Sequence, residues 1–184
     1  MKLLGWSRSK FVDCPSCGIT LGKKSLICRK CGMNFETELD SGHVGEAIDH
    51  YKKGIREQKS GQHKKAIVHY TVAIELLPIY TLAYNNRGVA YQELGEIENA
   101  LLDYGQAICL QRKLAVAYYN KGVAYKVLGK LQHALVNFDV SIRFNSTLAV
   151  AYDQRGAVYQ SLGKHSYATD DFNKASRLKN TYTK

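Results

Sequence analysis

The feature that most limits how this chain can fold is an internal repeat with a period of 34 residues. From about residue 47 to residue 180, the 184-residue sequence aligns with itself at that offset without a gap. Two columns of the alignment are glycine, one is alanine and one is aromatic. They read Gly54, Gly88, Gly122, Gly156; Gly61, Gly95, Gly129, Gly163; Ala66, Ala100, Ala134, Ala168; and Tyr70, Tyr104, Phe138, Phe172. Repetition at such a period predicts an array in which each unit packs only on its neighbours.

Each unit has the pattern of two helices. In the second unit, residues 84–94 favour a first helix that ends at Gly95, which suits the left-handed position after a helix C-terminus. Residues 97–110 have apolar or small side chains at i, i+3 and i+4 spacing, as in an amphipathic helix. These side chains are Ala100, Leu101, Tyr104, Ala107 and Ile108. Small residues at Gly88 and Ala100 indicate where the two helices approach closely.

The period and these columns resemble the tetratricopeptide repeat family. The resemblance covers four units, which span residues 47–80, 81–114, 115–148 and 149–180. It implies a mainly α fold, a right-handed superhelix of four helix–turn–helix repeats, with the first helices on the concave face. Two columns of the second helix that should face the next repeat turn polar in the fourth unit, which predicts that the array ends there. They read Ile67, Leu101, Leu135, Thr169 and Ile74, Ile108, Ile142, Ser176.

A separate metal-binding module is predicted in residues 1–36. Cys14 and Cys17, and then Cys28 and Cys31, form two C-x₂-C pairs, each followed by glycine. Two such turns at the ends of a β-hairpin can hold one ion with four thiolates, and we expect strands at 19–21 and 25–27 with a turn at 22–24. The module resembles a zinc ribbon, preceding the repeats as a small β-hairpin; Zn²⁺ is the expected ion and iron the alternative. Four thiolates leave no open coordination position, so the site is expected to be structural.

Charge is unevenly distributed along the chain, whose net charge is +10. Residues 1–35 contain seven Lys or Arg and one Asp, whereas residues 37–46 form an acidic linker before the repeats. Basic residues of the ribbon could contact phosphates, so nucleic-acid binding by the ribbon, with the repeats recruiting a protein, is the alternative function. These residues are Lys10, Lys23, Lys24, Arg29 and Lys30.

A peptide-binding groove is the function that the repeats predict most directly. The resemblance places four columns of first-helix side chains on the concave face, and Asn86 and Asn120 resemble the asparagine ladder of some family members. Amides can donate to and accept from the backbone of an extended peptide, and aliphatic neighbours offer apolar pockets. The expected groove residues are Lys52, Leu82, Asn86, Val89, Val116, Asn120, Val123 and Gln154. Members that clamp a chaperone C-terminal carboxylate use Lys and Arg where this chain has Val116, Val150, Asn120 and Gln154, which disfavours that ligand.

Several classes of function are disfavoured by what the sequence lacks. No apolar run approaches the roughly 18 residues that a membrane helix needs, and the N-terminus does not read as a signal peptide. We therefore expect a cytoplasmic protein without membrane contact, and in that reducing compartment the paired cysteines favour metal over disulfides. A monomer is favoured. Cys109 lacks a placed His and acid, and Asp170 and Asp171 read as a solvated helix face. We therefore expect no catalytic residues and a non-enzymatic scaffold or adaptor for a protein or peptide partner.

Overall fold

The computed structural model describes residues 11–13, 20–22 and 41–181, which form two short strands and eight α-helices. The strands are β1 (Phe11–Asp13) and β2 (Thr20–Gly22). The helices are α1 (Ser41–Lys59), α2 (His63–Leu76), α3 (Thr81–Glu93), α4 (Ile97–Leu110), α5 (Ala115–Val127), α6 (Leu131–Phe144), α7 (Ala149–Ser161) and α8 (His165–Thr181). They pack in consecutive pairs, one pair for each repeat, which confirms the mainly α architecture. Helix α1 starts at Ser41, inside the segment predicted as a linker.

The turn inside each pair is set by a glycine with positive φ. Gly95 has a φ of 78°, and the equivalent Gly61, Gly129 and Gly163 have values of 72°, 69° and 70°. The amide of Glu96 donates to the carbonyl of Tyr91 at 2.9 Å, and the amide of Gly95 to that of Gln92 at 3.0 Å. These two bonds form a Schellman motif, which satisfies the last carbonyls of α3. The predicted stop at Gly95 is confirmed.

Within each pair, a second glycine lets the first helix rest on an aromatic ring of the second. A Cβ added to Gly88 would lie 2.7 Å from Cε1 of Tyr104, closer than a carbon contact allows. The same arrangement joins Gly54 to Tyr70, Gly122 to Phe138 and Gly156 to Phe172. Tyr70, Tyr104 and Phe138 are fully buried, and they form the centre of successive small cores.

The pairs stack so that two layers of helices form. Each second helix packs on the first helix of the next pair: α2 on α3, α4 on α5, and α6 on α7. Successive first helices also contact each other, from α1 through α3 and α5 to α7. Successive second helices make no such contact within residues 41–181. Because one layer is closely spaced and the other is spread, the stack bends with the first helices on its inner side.

The described part of the N-terminal region is a two-stranded antiparallel sheet. Phe11 pairs with Gly22, Val12 with Leu21 and Asp13 with Thr20. The strand β2 overlaps the expected strand 19–21 at Thr20 and Leu21, but it includes Gly22, which was expected in a turn, and its partner precedes the first cysteine pair. Aromatic and β-branched residues at Phe11 and Val12 favour that strand. The strand expected at 25–27 lies outside the described residues.

Among the described residues, no helix is long and apolar enough to cross a membrane. At the far end of the stack, Thr169 and Ser176 on α8 are exposed, as their position at the outer end of the fourth repeat predicts. The same helix also exposes the aromatic ring of Tyr167 and part of that of Phe172, so this face is mixed rather than wholly polar.

Candidate peptide-binding groove

The inner layer carries a stripe of exposed aliphatic side chains, one on each first helix. Leu82 on α3 is 44% exposed and Val116 on α5 is 38% exposed. Ile48 on α1 and Val150 on α7 occupy the same position in their repeats, with 36% and 42% exposure. Large aliphatic side chains are normally removed from water, so a row of four at equivalent positions offers apolar contact to a ligand.

A second aliphatic column, predicted as part of the groove, is committed mainly to the protein core. Val89 packs against the cluster around Tyr104, and Val123 packs against the cluster around Phe138. Both side chains are only partly exposed. They therefore form the floor between the helices, while the stripe of Leu82 and Val116 is the more accessible surface.

The predicted asparagines belong to a chain of side-chain hydrogen bonds that links three repeats. Asn120 donates through Nδ2 to Oδ1 of Asn85 at 3.0 Å, and Asn85 donates to Oδ1 of Asn86 at 3.1 Å. Asn86 then donates to the hydroxyl of Tyr51 at 3.0 Å. Sequence reasoning missed Asn85 and Tyr51, which lie one residue before the predicted column. An amide ladder of this kind holds the side chains in place and leaves further amide donors for a ligand.

The other two members of the predicted polar column are not part of this chain. Gln154 accepts a hydrogen bond through Oε1 from Nζ of Lys126 at 2.9 Å. Lys52 is exposed and makes no hydrogen bond or ion pair within the described residues. The four residues therefore occupy equivalent positions but differ in their hydrogen bonds. Asn86 and Asn120 belong to one hydrogen-bonded chain, whereas Lys52 and Gln154 do not.

Two glutamines on the inner layer are oriented by buried tyrosines. The hydroxyl of Tyr70 donates to Oε1 of Gln58 at 2.6 Å, and the hydroxyl of Tyr104 donates to Oε1 of Gln92 at 3.2 Å. Burial raises the pKa of Tyr70 to about 12, so this hydroxyl stays protonated and remains a donor at ordinary pH. Because each Oε1 is taken by the protein, the NH₂ group of each glutamine remains available to a ligand carbonyl.

A second polar network, which the sequence analysis missed, joins neighbouring repeats. Arg87 on α3 donates to both carboxylate oxygens of Asp103 on α4, at 2.8 and 2.7 Å, and to the Thr71 hydroxyl on α2 at 3.0 Å. The guanidinium also lies 5.6 Å from the ring centroid of Tyr84, a cation–π distance. Burial raises the pKa of Asp103, although Arg87 acts in the opposite direction. The signal available in the sequence was an Arg followed by an Asp at the same offset in two repeats.

The fourth repeat contains the same network, and it corrects one expectation. Arg155 on α7 donates to Asp171 on α8 at 2.8 and 2.6 Å, and to Asp139 on α6 at 2.6 Å. Asp171 was expected on a solvated face with Asp170, but it is only 5% exposed. A carboxylate is stable in that position because a bidentate arginine partner compensates its lost hydration.

The predicted metal ligands Cys14, Cys17, Cys28 and Cys31 lie outside the described residues. The basic ribbon residues on which the nucleic-acid alternative depends, from Lys10 to Lys30, lie outside them too. The strands β1 and β2 bracket residues 14–19, the segment that contains the first cysteine pair. Within the described part of the chain, no group of three or more His, Cys, Asp or Glu side chains could hold a metal ion.

Comparison with known proteins identifies the class as a helical repeat array. Three similar solved structures are a crystal structure of MamA, the first TPR domain of Spaghetti (RPAP3) bound to the HSP90 peptide SRMEEVD, and the second TPR domain of human RPAP3 with an HSP70 peptide. Their identities are 24%, 26% and 28%, and their TM-scores are 0.69, 0.63 and 0.61. The alignments cover 74%, 65% and 64% of this chain and 80%, 95% and 98% of those chains.

The repeat itself is identified by sequence as well as by fold. Residues 81–114, which contain α3 and α4, match the family model for the tetratricopeptide repeat. No curated protein matches the chain by sequence. The described helices thus have the fold of a tetratricopeptide repeat array, as the sequence resemblance implied. Such repeats are interaction modules rather than catalytic domains.

Proposed function

We propose that this protein is a non-enzymatic interaction scaffold that binds an extended peptide segment of a partner protein along the inner layer of its repeats. The observation that carries the proposal is the stripe of exposed Ile48, Leu82, Val116 and Val150 beside a row of oriented amides. An extended peptide has backbone groups and alternating side chains at regular spacing. Amide donors can bind its carbonyls while the stripe receives its apolar side chains.

The groove chemistry favours a peptide that is mainly aliphatic and uncharged. Both of the RPAP3 domains compared above are bound to chaperone peptides. Here Val116 and Val150, with Asn120 and Gln154, occupy the positions where the family's chaperone-tail readers use cations. A C-terminal carboxylate bound there would lose water without gaining a charged partner, which costs several kcal/mol. The proposed ligand is therefore an internal segment rather than an acidic tail.

The experiment that tests the groove compares two charged substitutions on opposite layers. Affinity purification of the intact chain, followed by mass spectrometry, identifies a candidate partner, whose binding is then measured with purified proteins. Leu82→Glu and Val116→Glu should each weaken that binding by about tenfold or more, because a carboxylate enters the apolar stripe. Val68→Glu makes the same change on the second helix α2, where the side chain is 61% exposed, and should leave binding unchanged. Equal effects of the three variants would refute the groove.

The proposal includes a structural metal site in the N-terminal module, with Zn²⁺ held by Cys14, Cys17, Cys28 and Cys31. What supports it is the donor set itself: four thiolates in two C-x₂-C pairs match the tetrahedral preference of zinc. The pairing of β1 with β2 adds support, since the first cysteine pair lies in the segment between two antiparallel strands. Iron is the alternative ion for the same ligands, and elemental analysis of the purified chain distinguishes the two.

A further inference from the structure

The first helices of repeats two and four carry an arginine that donates hydrogen bonds on two sides. Arg87 reaches Asp103 in its own repeat and Thr71 in the preceding one. Arg155 reaches Asp171 in its own repeat and Asp139 in the preceding one. In both cases the cation lies between the second helices of two neighbouring repeats, and both flanking positions supply an oxygen acceptor.

In the third repeat the cation remains, but neither flanking position has a carboxylate. Lys121 on α5 takes the position of Arg87 and Arg155. The position of Asp103 and Asp171 is occupied by Asn137, whose amide donates to the carbonyl of His133 at 2.8 Å. The position of Thr71 and Asp139 is occupied by Gly105, and Nζ of Lys121 lies 3.9 Å from the point where a Cβ on Gly105 would stand. Lys121 makes no hydrogen bond or ion pair within residues 41–181.

A cavity of about 230 Å³ opens beside this lysine, on the side of the second helices. It is lined by Lys121, Tyr125, Gln132, His133, Val136 and Asn137. The rings of Tyr125 and His133 contact each other at one wall in a tilted arrangement, with centroids 5.1 Å apart. The volume lies below the range typical of pockets for drug-sized ligands, so the cavity suits a single side chain or a similarly small group.

The surface around the cavity is apolar, and it repeats from one unit to the next. Leu102 and Val136 occupy the same position on α4 and α6, and they are 73% and 62% exposed. Val68 holds that position on α2, with 61% exposure, whereas repeat four has Asp170. Leu102 lies one helical turn from Gly105, so this column of exposed apolar side chains on the second helices passes beside Lys121.

We propose that this outer surface of repeats two and three is a second docking site, for a protein segment that presents an Asp or Glu side chain between aliphatic residues. The carboxylate enters the cavity and pairs with Lys121, and thus supplies the acceptor that Asp103 and Asp171 supply internally in the neighbouring repeats. The aliphatic residues cover Leu102 and Val136. A cavity lined by one lysine and no arginine matches one carboxylate, whereas a nucleic-acid backbone needs several cations in a row.

The site is tested with random peptides displayed on phage and selected on the full chain carrying Leu82→Glu, so that the inner groove is blocked. We expect the selected peptides to share an acidic residue with aliphatic flanks. One selected peptide is then synthesised and its affinity for the protein is measured. Lys121→Gln should weaken this binding by about tenfold or more, and so should removal of the peptide's own carboxylate. The two changes together should cost little more than either alone, because they remove the same contact.

Two further variants test the site by filling it from inside. Asn137→Asp places a carboxylate where Asp103 and Asp171 stand, and Gly105→Asp places one where Asp139 stands. Each should pair with Lys121 and abolish peptide binding, while Asn137→Asp keeps or raises the melting temperature. Gln106→Asp, on the same helix as Gly105, is the control and should leave binding unchanged. The proposal is overturned if selection returns no acidic peptides, or if Lys121→Gln and Asn137→Asp bind the peptide as the parent chain does.

Discussion

Individual glycines in this chain have different physical roles, although they are chemically identical. Gly88 is needed because the ring of Tyr104 lies against its Cα, and Gly95 is needed because its φ of 78° is unfavourable for side chains. Gly105 meets neither condition: it lies within α4, and only Lys121 approaches the place of its Cβ. The sequence marks the first two by their recurrence in every repeat, and Gly105 by its occurrence in one.

Substitution by alanine should separate these roles. Gly88→Ala should destabilise the protein by about 1–3 kcal/mol, because the new Cβ would stand 2.7 Å from a buried ring atom. Gly105→Ala, also in a helix interior, should be neutral or stabilising by up to about 1 kcal/mol, because alanine favours the helix. Urea unfolding measures both. Equal destabilisation by the two substitutions would contradict the close packing of Gly88 on Tyr104.

Ionisation of one hydroxyl, that of Tyr70, should contribute measurably to the pH dependence of the free energy of unfolding. The pKa of Tyr70 is raised from 10 to about 12 because the ring is buried, so ionisation favours the unfolded chain. This contribution is fully present below pH 10 and is lost as the pH rises through 12, by roughly 3 kcal/mol in all. Tyr70→Phe loses the bond to Gln58, at a cost of about 1 kcal/mol at neutral pH.

Above pH 12, by the same reasoning, Tyr70→Phe should become more stable than the parent chain. Measuring the free energy of unfolding of both chains below pH 10 and near pH 12 checks this, since their difference cancels the other tyrosines. Curves that stay parallel over this range would show that the Tyr70 hydroxyl is not buried in the folded protein.

Pairs of helices are joined to their neighbours by hydrogen bonds from two arginines as well as by apolar packing. Arg87 connects α2, α3 and α4, and Arg155 connects α6, α7 and α8. These arginines therefore fix how one repeat sits on the next. Burial raises the pKa of Asp103 despite its arginine partner, which indicates that the lost hydration of this carboxylate outweighs the attraction.

The free energy lost on breaking the Arg87–Asp103 ion pair should depend strongly on whether one partner or both are removed. Asp103→Leu alone should destabilise the protein by about 3–5 kcal/mol, because Arg87 is left partly buried without its carboxylate. Arg87→Met combined with Asp103→Leu should recover most of that loss, since neither charge remains to be hydrated. Thermal or urea unfolding of the four chains of the cycle gives the coupling energy. A double variant as unstable as Asp103→Leu alone would mean that the arginine contributes mainly through packing.

At the scale of the whole molecule, the described helices form a one-dimensional stack. Each pair packs on its sequence neighbours, and the inner and outer layers present different surfaces. Stability in such an array is approximately a sum over repeats and the interfaces between them. The array does not depend on contacts between distant repeats, and this leaves its two faces free for separate partners.

Loss of the metal from the proposed N-terminal site should leave the helical repeats folded. The purified chain should contain about one zinc per molecule, and Cys14→Ser or Cys28→Ser should reduce that content strongly. Cys109→Ser is the matched control, because Cys109 lies on α4 in the second repeat and belongs to neither C-x₂-C pair, and it should retain the metal. The helical circular dichroism of the metal-free variants should stay close to that of the parent, since the helix pairs pack on one another. Unchanged zinc in Cys14→Ser would exclude the proposed ligands.

Much of this architecture can be predicted from the sequence because it depends on local and periodic signals. The glycine that ends each first helix and the small residues under each aromatic ring recur every 34 residues, so the helices and their pairing follow from the pattern. The positions of Leu82, Val116, Asn86 and Asn120 on the first helices follow from the same periodicity, and the family resemblance is what implied a groove there. The strand partner of β2 did not follow, because a three-residue strand has too little pattern to choose between segments.

The sequence by itself thus determined the repeat, the turns and the face of the aliphatic column that contains Leu82 and Val116, because those depend on spacing along one helix. Only the tertiary structure decided which side chains meet across helices: Asn120 with Asn85, Arg155 with Asp171, and Lys121 with no acceptor. Such contacts join residues in different helices, and their energy depends on burial and on distances of a few tenths of an ångström. Columns of equivalent positions show that Asn137 replaces Asp103 and Asp171, but not that these carboxylates contact the arginines.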